Sequence, residues 1–240
     1  MLKYTLSIAL IISLFANLHG QGQSPSSVKW KEINTEHAQI IYPEELETEA
    51  QRAANLVNYL YDFQAKTLDV EVKKIPIILF NRTTTTNGFA GLRPRRSGWY
   101  VTPSQFATAL GSDDWFQTLA SHEYRHVVQY AKSDMYMTKF LSTLFGQTGI
   151  LMGQYSYPYW FFEGDAICTE TSFGSLGRGR IPQFEMPVRT MLLNDINYKY
   201  DKAKFNSYKD FYPSHYHLGW LVEEIQAKMC QNDTRFKSLF

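Results

Sequence analysis

The chain has 240 residues, of which 44% are hydrophobic, 15% aromatic and 20% charged. This length is enough for one large domain or two small ones with an adequate core. Its 24 basic and 23 acidic side chains leave a net charge of +1, which excludes the strong basic excess that is typical of nucleic-acid binding. We therefore expect no nucleic-acid partner.

The first twenty residues have the pattern of a secretory signal peptide. Lys3 precedes an apolar run over residues 4–16, and Gly20 or Gly22 supplies a small residue for cleavage. The run is short for a membrane span, and an anchor that is never removed is the alternative. We expect removal of residues 1–20, a mature chain of residues 21–240 without a stable membrane span, and a secreted, periplasmic or cell-surface location.

Hydrophobic periodicity predicts strands and a helix in the next part of the chain. Residues 28–42 alternate between apolar and polar, which predicts one or two short strands. Residues 44–68 carry apolar side chains at spacings of three and four, with acidic residues in the first turns, and predict an amphipathic helix. The apolar run 74–80 predicts a buried strand. Asn87-Gly88 and Gly91 then indicate turns.

A further strand is predicted at residues 98–102, directly after Arg93, Arg95 and Arg96. One interpretation makes this strand the sheet edge beside the active cleft, where a substrate backbone adds as an extra strand and the arginines approach an acidic or C-terminal group. The other interpretation, which we favour for the arginines, is a solvated basic loop.

The segment SHEYRHVVQY, residues 121–130, carries the clearest chemical pattern. Asp113 or Asp114 can cap a helix here, and the stripe through Trp115 and Leu119 places both histidines on its buried face. His122 and His126 lie one turn apart, so that both imidazoles can bind one zinc ion. Zinc in hydrolytic sites takes about three protein ligands, and the third must come from elsewhere.

Two further stretches follow this helix. Residues 135–152 are rich in Met, Leu and Phe and predict a packed helix or helix pair, with too many polar interruptions for a membrane span. Glu163 opens a stretch that we expect to be helical to Thr171, and Glu163 and Glu170, seven residues apart, share its face. Cys168 and Cys230 permit one disulfide without requiring it.

HEYRH followed by WFFEGDAICTE resembles the gluzincin metallopeptidases, most closely their aminopeptidase-like branch with HExxH and then W-x-x-E-G-x-A-x-x-x-E. The resemblance implies that Glu163 is the third zinc ligand. It also implies an α+β, zincin-like catalytic domain over residues 21–240. This domain would contain a small mixed sheet with an edge strand, the HExxH helix and a mainly helical half from residue 133. Arg125 departs from the family pattern, which has an uncharged residue there.

The segment YHLGWLV from Tyr216 resembles the Y-x-x-G helix of the same branch. The resemblance implies that Tyr216 stabilises the oxyanion of the tetrahedral intermediate by hydrogen bonding. His215 and His217 compete for this role, and a core aromatic is the alternative for Tyr216. Glu123 points about 100° around the helix from His122 and is the expected general base. Glu170 is a candidate acceptor for a ligand histidine N–H.

The predicted function is therefore zinc-dependent hydrolysis of peptide bonds, with a peptide or protein as substrate. Two alternatives stay open: a catalytically silent scaffold that serves as a binding or assembly module, and a zinc hydrolase of non-peptide amides. The GxMxN element that holds a free N-terminus in aminopeptidases of this branch is absent from the sequence. Resembling proteins often continue into further C-terminal domains, so we also expect a further domain or a partner protein.

Overall fold

The structure, a computed structural model of the chain, describes residues 24–103, 114–172, 177–197, 199–205 and 207–232, with side chains to residue 224. The predicted signal peptide, residues 1–20, lies outside these ranges. Within them the fold is α+β and contains one five-stranded mixed sheet in the order β1-β2-β3-β5-β4. The strands are β1 Trp30–Asn34, β2 Ala38–Pro43, β3 Ile75–Phe80, β4 Gly88–Leu92 and β5 Arg95–Tyr100.

The strands and the helix predicted before residue 81 are confirmed. Strands β1 and β2 form an antiparallel pair, and β3 pairs parallel to β2. A parallel pair needs a crossover connection, and residues 44–68 supply it as one continuous helical segment. This segment consists of a 3-10 turn Glu44–Leu46, helix α1 Glu47–Leu60, a π-helical turn Tyr61–Ala65 and a last helical turn Lys66–Leu68.

The hydrophobic core lies between the sheet and the helices that cover it. Alternation places Ile75, Ile77 and Leu79 of β3 inside, and the apolar stripe of α1 buries Val57 and Leu60 in the same cluster. Burial of such side chains supplies the main stabilising free energy of a fold of this size. The sheet is therefore a rigid base for the helices that follow.

The far side of the sheet differs from the sequence prediction. Residues 88–92, predicted as turns, form β4, which pairs antiparallel with β5. Strand β5 therefore lies between β3 and β4, and the prediction that residues 98–102 form the sheet edge is wrong, because β4 is the edge. Gly88 explains the error. A Cβ there would lie 2.6 Å from Leu119 Cδ1, so this glycine marks a close approach between elements instead of a turn.

The predicted basic loop is only partly a loop, because Arg93 lies in the exposed turn between β4 and β5, whereas Arg95 and Arg96 are the first residues of β5. Arg95 donates hydrogen bonds to the backbone carbonyls of Lys73, at 2.7 Å, and Lys74, at 2.8 Å. The Arg96 guanidinium lies over the Phe89 ring, 5.7 Å from its centroid. None of the three arginines lines the cleft described below, within the part of the chain that the structure covers.

The second half of the described chain is helical, as predicted. Residues 135–152 form a helix pair, and the helix that contains Glu163 begins earlier than expected, at Tyr159. No helix in the described ranges is long and apolar enough to cross a bilayer. Cys168 is a free cysteine, and the side chain of Cys230 lies outside the described part. The helices are α2 Trp115–Ser133, α3 Tyr136–Phe145, α4 Gln147–Gln154, α5 Tyr159–Ser172, α6 Pro182–Leu193, α7 Tyr200–Phe205 and α8 His215–Asn232, with a 3-10 turn Arg178–Arg180.

Candidate metal centre

Helix α2 carries the two histidines through the middle of the molecule. Asp114 caps it, because its Oδ1 accepts from the backbone N–H groups of Phe116, at 3.1 Å, and Gln117, at 3.4 Å. Asp113, the other predicted cap, lies outside the described residues. The helix packs against β4 and β5 on one side and α5 on the other. His122 and His126 are therefore buried, with 6% and 8% of their surface exposed.

Three side chains bring their donor atoms together at this point. His122 Nε2 and His126 Nε2 lie 3.2 Å apart. Glu163 Oε2 of α5 lies 3.2 Å from the first nitrogen and 3.6 Å from the second. Donor atoms around a tetrahedral ion with bonds of roughly 2.0–2.1 Å are separated by about 3.3 Å. The three residues thus form a buried group that can hold one metal ion.

Each histidine is oriented by a hydrogen bond from its other ring nitrogen. His122 Nδ1 lies 2.9 Å from Glu170 Oε2, so Glu170, the candidate acceptor for a ligand histidine, is in contact with His122. His126 Nδ1 lies 2.8 Å from Gln129 Oε1. Carboxylate and amide oxygens only accept hydrogen bonds, so both Nδ1 atoms carry the proton. The Nε2 atom of each ring therefore faces the other donor atoms, and its lone pair is available to a metal ion once that nitrogen carries no proton.

The charges of the site suit a metal. Burial would raise the pKa of Glu163, but hydrogen bonds from His122 and His126 outweigh it and lower this pKa well below its usual range. Burial and the charge of Arg178 would lower the pKa of His122, but hydrogen bonds to Glu163 and Glu170 outweigh them and raise it to about 9. A metal that binds at neutral pH must therefore displace a proton from His122.

Arg178, from the 3-10 turn after α5, fixes Glu170. Its Nε donates to Glu170 Oε1 at 2.7 Å and its Nη2 to Oε2 at 2.8 Å, a bidentate pair. Burial would raise the pKa of Glu170, but the Arg178 charge and hydrogen bonds lower it to about 2. Arg178 Nη2 also lies 2.7 Å from His122 Nδ1. Because both nitrogens carry protons, this contact is not a hydrogen bond, and Glu170 is the acceptor they share.

Arg125, the residue that the family resemblance leaves unexplained, is a buried structural tie. Its guanidinium forms a bidentate pair with Asp165 of α5, with both contacts at 2.7 Å, and donates to Thr67 Oγ1 at 2.6 Å. Asp165 also accepts from Gln129 Nε2 at 2.6 Å, and Gln129 orients His126. Arg125 thus connects α2 to α5 and to the turn that contains Thr67. It also supports His126 indirectly, through Asp165 and Gln129.

Glu123 lies beside the donor group without belonging to it. Its side chain is buried, and burial raises its pKa despite the opposing charges of His122 and His126. The edge strand runs directly past its carboxylate, since a Cβ on Gly88 would lie 2.8 Å from Glu123 Cγ and 3.0 Å from Oε1. A chain that pairs with β4 would therefore pass close to this carboxylate.

Tyr216, at the start of α8, lines the same cleft. Its ring centroid lies 6.5 Å from that of His122, and the Arg178 guanidinium lies over its ring at 5.3 Å. Burial, followed by the charge of Glu163, raises the pKa of Tyr216 to about 12. The hydroxyl therefore keeps its proton at neutral pH and can donate a hydrogen bond.

The two competing histidines are engaged elsewhere. His217 Nδ1 lies 2.8 Å from Ser214 Oγ, and the His217 ring stacks on Phe184 at 4.5 Å. His215 packs against the rings of Tyr159 and Tyr216. Neither histidine is among the described residues that line the cleft. Of the three candidates, Tyr216 alone is a lining residue.

The glycines of the two helical motifs meet where α5 crosses α8. A Cβ on Gly164, the residue after Glu163, would lie 2.7 Å from Gly219 Cα, and a Cβ on Gly219 would lie 2.2 Å from the carbonyl oxygen of Trp160. The two backbones are therefore in direct contact. This contact holds Glu163 and Tyr216 on the same side of the site.

Gly219→Ala is expected to destabilise the protein by about 2 kcal/mol, because helix propensity gains about 1 kcal/mol while overpacking costs up to about 3 kcal/mol. Denaturant unfolding measures this. Gly91→Ala is the matched control, since its Cβ would only meet backbone atoms at 3.8 Å or more, and should change stability by less than about 0.5 kcal/mol. Equal stability of both variants would contradict the close crossing.

The donor group opens into a cleft of about 520 Å³. Its walls come from β4, α2, α4, α5 and the start of α8, and most of its lining side chains apart from the site are apolar or aromatic. They include Phe89, Trp115, Leu119, Leu151, Tyr155, Tyr157, Tyr159 and Phe162. A cleft of this size can hold several residues of an extended chain.

Sequence reasoning missed three residues of the site. Gln129 lies one turn after His126, and this spacing could have indicated it as the acceptor for the histidine. Asp165 is part of the quoted motif, but its partners come from distant segments. Arg178 approaches Glu170 only through the fold, and no spacing rule would have found it.

Comparison of the sequence with models of known protein families and with curated proteins gives no match. The interpretation of the site therefore rests on its residues and their geometry.

Proposed function

We propose that the protein is a zinc-dependent peptidase of the gluzincin type, with a zincin-like fold and an extracytoplasmic location. The observation that carries this proposal is the triangle of donor atoms formed by His122, His126 and Glu163, with Glu123 directly beside it. A purely structural metal site is normally closed by four protein ligands. Here three ligands face a cleft, which leaves one position for a reactant.

The donor set favours zinc. Two imidazole nitrogens and one carboxylate oxygen are the ligands of known catalytic zinc sites, whereas magnesium and calcium prefer oxygen ligands alone. Each histidine is also held by a further hydrogen bond from its second ring nitrogen, which catalytic zinc sites commonly require. Glu170 and Gln129 supply these contacts for the two histidines.

Bound zinc would activate water as the nucleophile and polarise the scissile carbonyl. Glu123 accepts the proton of the attacking water and passes it to the leaving amine. The burial of Glu123 supports this role, because burial raises the pKa of the carboxylate toward neutral pH. A group with a pKa near the working pH is the most effective base and acid. Tyr216 donates a hydrogen bond to the developing oxyanion.

The edge strand β4, which lines the cleft, is the element that would position the substrate. A peptide that adds antiparallel or parallel to β4 gains backbone hydrogen bonds independent of its sequence. Gly88 brings this strand to Glu123, so the paired peptide would pass between the edge and the donor group. The sequence assigned this role to a strand at residues 98–102, but β5, which contains residues 98–100, lies inside the sheet, and β4 takes its place.

Tyr216→Phe is expected to lower kcat by about 10²-fold with little change in KM, because one oxyanion donor is lost while the ring stays in place. Steady-state kinetics on a peptide substrate measure this. His217→Phe serves as the control and should leave kcat within a few-fold, since His217 faces Ser214 and Phe184. A larger loss of kcat in His217→Phe than in Tyr216→Phe would assign the contact with the oxyanion to His217 instead.

Metal analysis and a peptide screen test the proposal together. We expect one zinc per chain, lost on His126→Ala, and peptide cleavage that a chelator abolishes. A folded, metal-free protein would instead favour a scaffold that binds or assembles. A protein with bound zinc that cleaves only amides or esters outside peptides would favour the third candidate, a zinc hydrolase of non-peptide substrates.

A further inference from the structure

Helices α3 and α4 form a hairpin with an unusual surface, which we call the apolar hairpin (residues 135–155). None of the ten residues of α3 is buried. Large apolar side chains nevertheless dominate its outside, and 87% of the Tyr136 surface is exposed. Monomeric soluble proteins rarely expose contiguous apolar patches of this kind. The outward side chains that matter most are Tyr136, Met137, Phe140, Leu144, Phe145 and Met152.

The backbones of α3 and α4 pack closely, and this packing keeps the apolar side chains of α3 exposed. A Cβ on Gly149 of α4 would lie 2.2 Å from the backbone of Leu141, and a Cβ on Gly153 would lie 2.5 Å from Thr138 Oγ1. The two helices therefore meet along a pair of glycines four residues apart, which leaves no room between them for large side chains. The apolar side chains of α3 cannot turn inward and must face outward.

The charges of the segment indicate what covers it. Between Asp134 and Glu163 the chain has no acidic residue, and Lys139 is its one basic residue. The ammonium group of Lys139 lies 3.1 Å from Asp134, at the base of the hairpin. A surface of aromatic, Met and Leu side chains that lacks carboxylates suits the boundary between lipid headgroups and acyl chains. Helix α3, at about 15 Å, is too short to span a bilayer and can only lie along it.

We propose that the apolar hairpin docks the protein on a lipid bilayer, with the outward side chains of α3 in the acyl boundary. Leu151 of α4 and Tyr155, directly after this helix, also line the cleft, so docking places the cleft mouth at the membrane surface. Docking itself needs no metal and no catalysis. The accompanying substrate class, polypeptide held at or near a membrane, rests on the proposed peptidase function.

Vesicle flotation of the full-length chain tests the docking. The vesicles are phosphatidylcholine alone and phosphatidylcholine with an equal part of phosphatidylglycerol. We expect Leu144→Asp to weaken partitioning about tenfold or more, because it replaces an inserted leucine with a charge. The matched control is Leu193→Asp, an exposed leucine on α6, which should leave partitioning unchanged. The apolar run at residues 4–16 contributes equally in every variant.

A local readout separates the hairpin from the rest of the chain. An environment-sensitive dye on Leu144→Cys should shift to the blue on addition of vesicles, and the same dye on Leu193→Cys should not. Chelator should leave both results unchanged, so loss of hydrolysis and loss of docking are measured separately. Equal partitioning of the two aspartate variants, or equal dye shifts, would overturn the proposal. Sedimentation that shows Leu144→Asp to abolish a dimer without affecting vesicle binding would assign the face to a second copy and overturn it as well.

Discussion

Glu123→Gln is expected to reduce peptide hydrolysis by about 10²–10⁴-fold while zinc stays bound. The amide is nearly isosteric with the carboxylate but cannot accept a proton from the attacking water. The three donor atoms come from His122, His126 and Glu163, so the substitution removes no ligand. The same change should leave KM close to its original value, because proton transfer contributes to the transition state and not to substrate binding.

Kinetics on a cleaved peptide, together with metal analysis of both proteins, measure this effect. Glu36→Gln is the matched control, since Glu36 is an exposed glutamate between β1 and β2, and it should leave kcat unchanged. Equal peptidase activity in Glu123→Gln and the parent protein, with zinc bound in both, would rule out Glu123 as the general base.

Arg125→Met is expected to destabilise the protein by about 3 kcal/mol, at the lower end of the cost of breaking a buried ion pair. The side chain of Arg125 is 5% exposed and that of Asp165 is 24% exposed. Removal of the guanidinium leaves the carboxylate without its bidentate partner and Thr67 Oγ1 without its donor. We also expect weaker metal binding, because Asp165 holds the side chain that orients His126.

Denaturant unfolding of the metal-free protein measures the change in the free energy of unfolding without a contribution from bound metal. Arg189→Met removes an exposed i,i+4 pair with Glu185 and should cost less than about 0.5 kcal/mol. Adding Asp165→Asn to Arg125→Met should recover part of the loss, because the unpaired charge is then removed. Similar losses of unfolding free energy in Arg125→Met and Arg189→Met would show that Arg125 does not stabilise the contact between the helices.

The elements of the fold that the sequence predicted are those governed by local periodicity. Strands β1 to β3, the crossover helix and the helix pair α3–α4 follow from patterns within a few turns of chain. Strand β4 was missed because Gly88 and Gly91 indicate turns in isolation. Only the packed structure shows that Gly88, because it has no Cβ, lets the side chains of Leu119 and Glu123 pack against the edge of the sheet.

The sequence by itself determined the chemistry available to this protein. HExxH places two imidazoles on one face of a helix, with a glutamate next to the first, because side chains one turn apart share a face. The same rule places Glu163 and Glu170, seven residues apart, on one face of another helix. Tertiary structure alone decided which distant groups complete the site. Arg178 reaches Glu170, and Arg125 reaches Asp165, because separate helices pack together. Contacts between distant segments depend on the global packing of the chain, which a local spacing pattern does not encode.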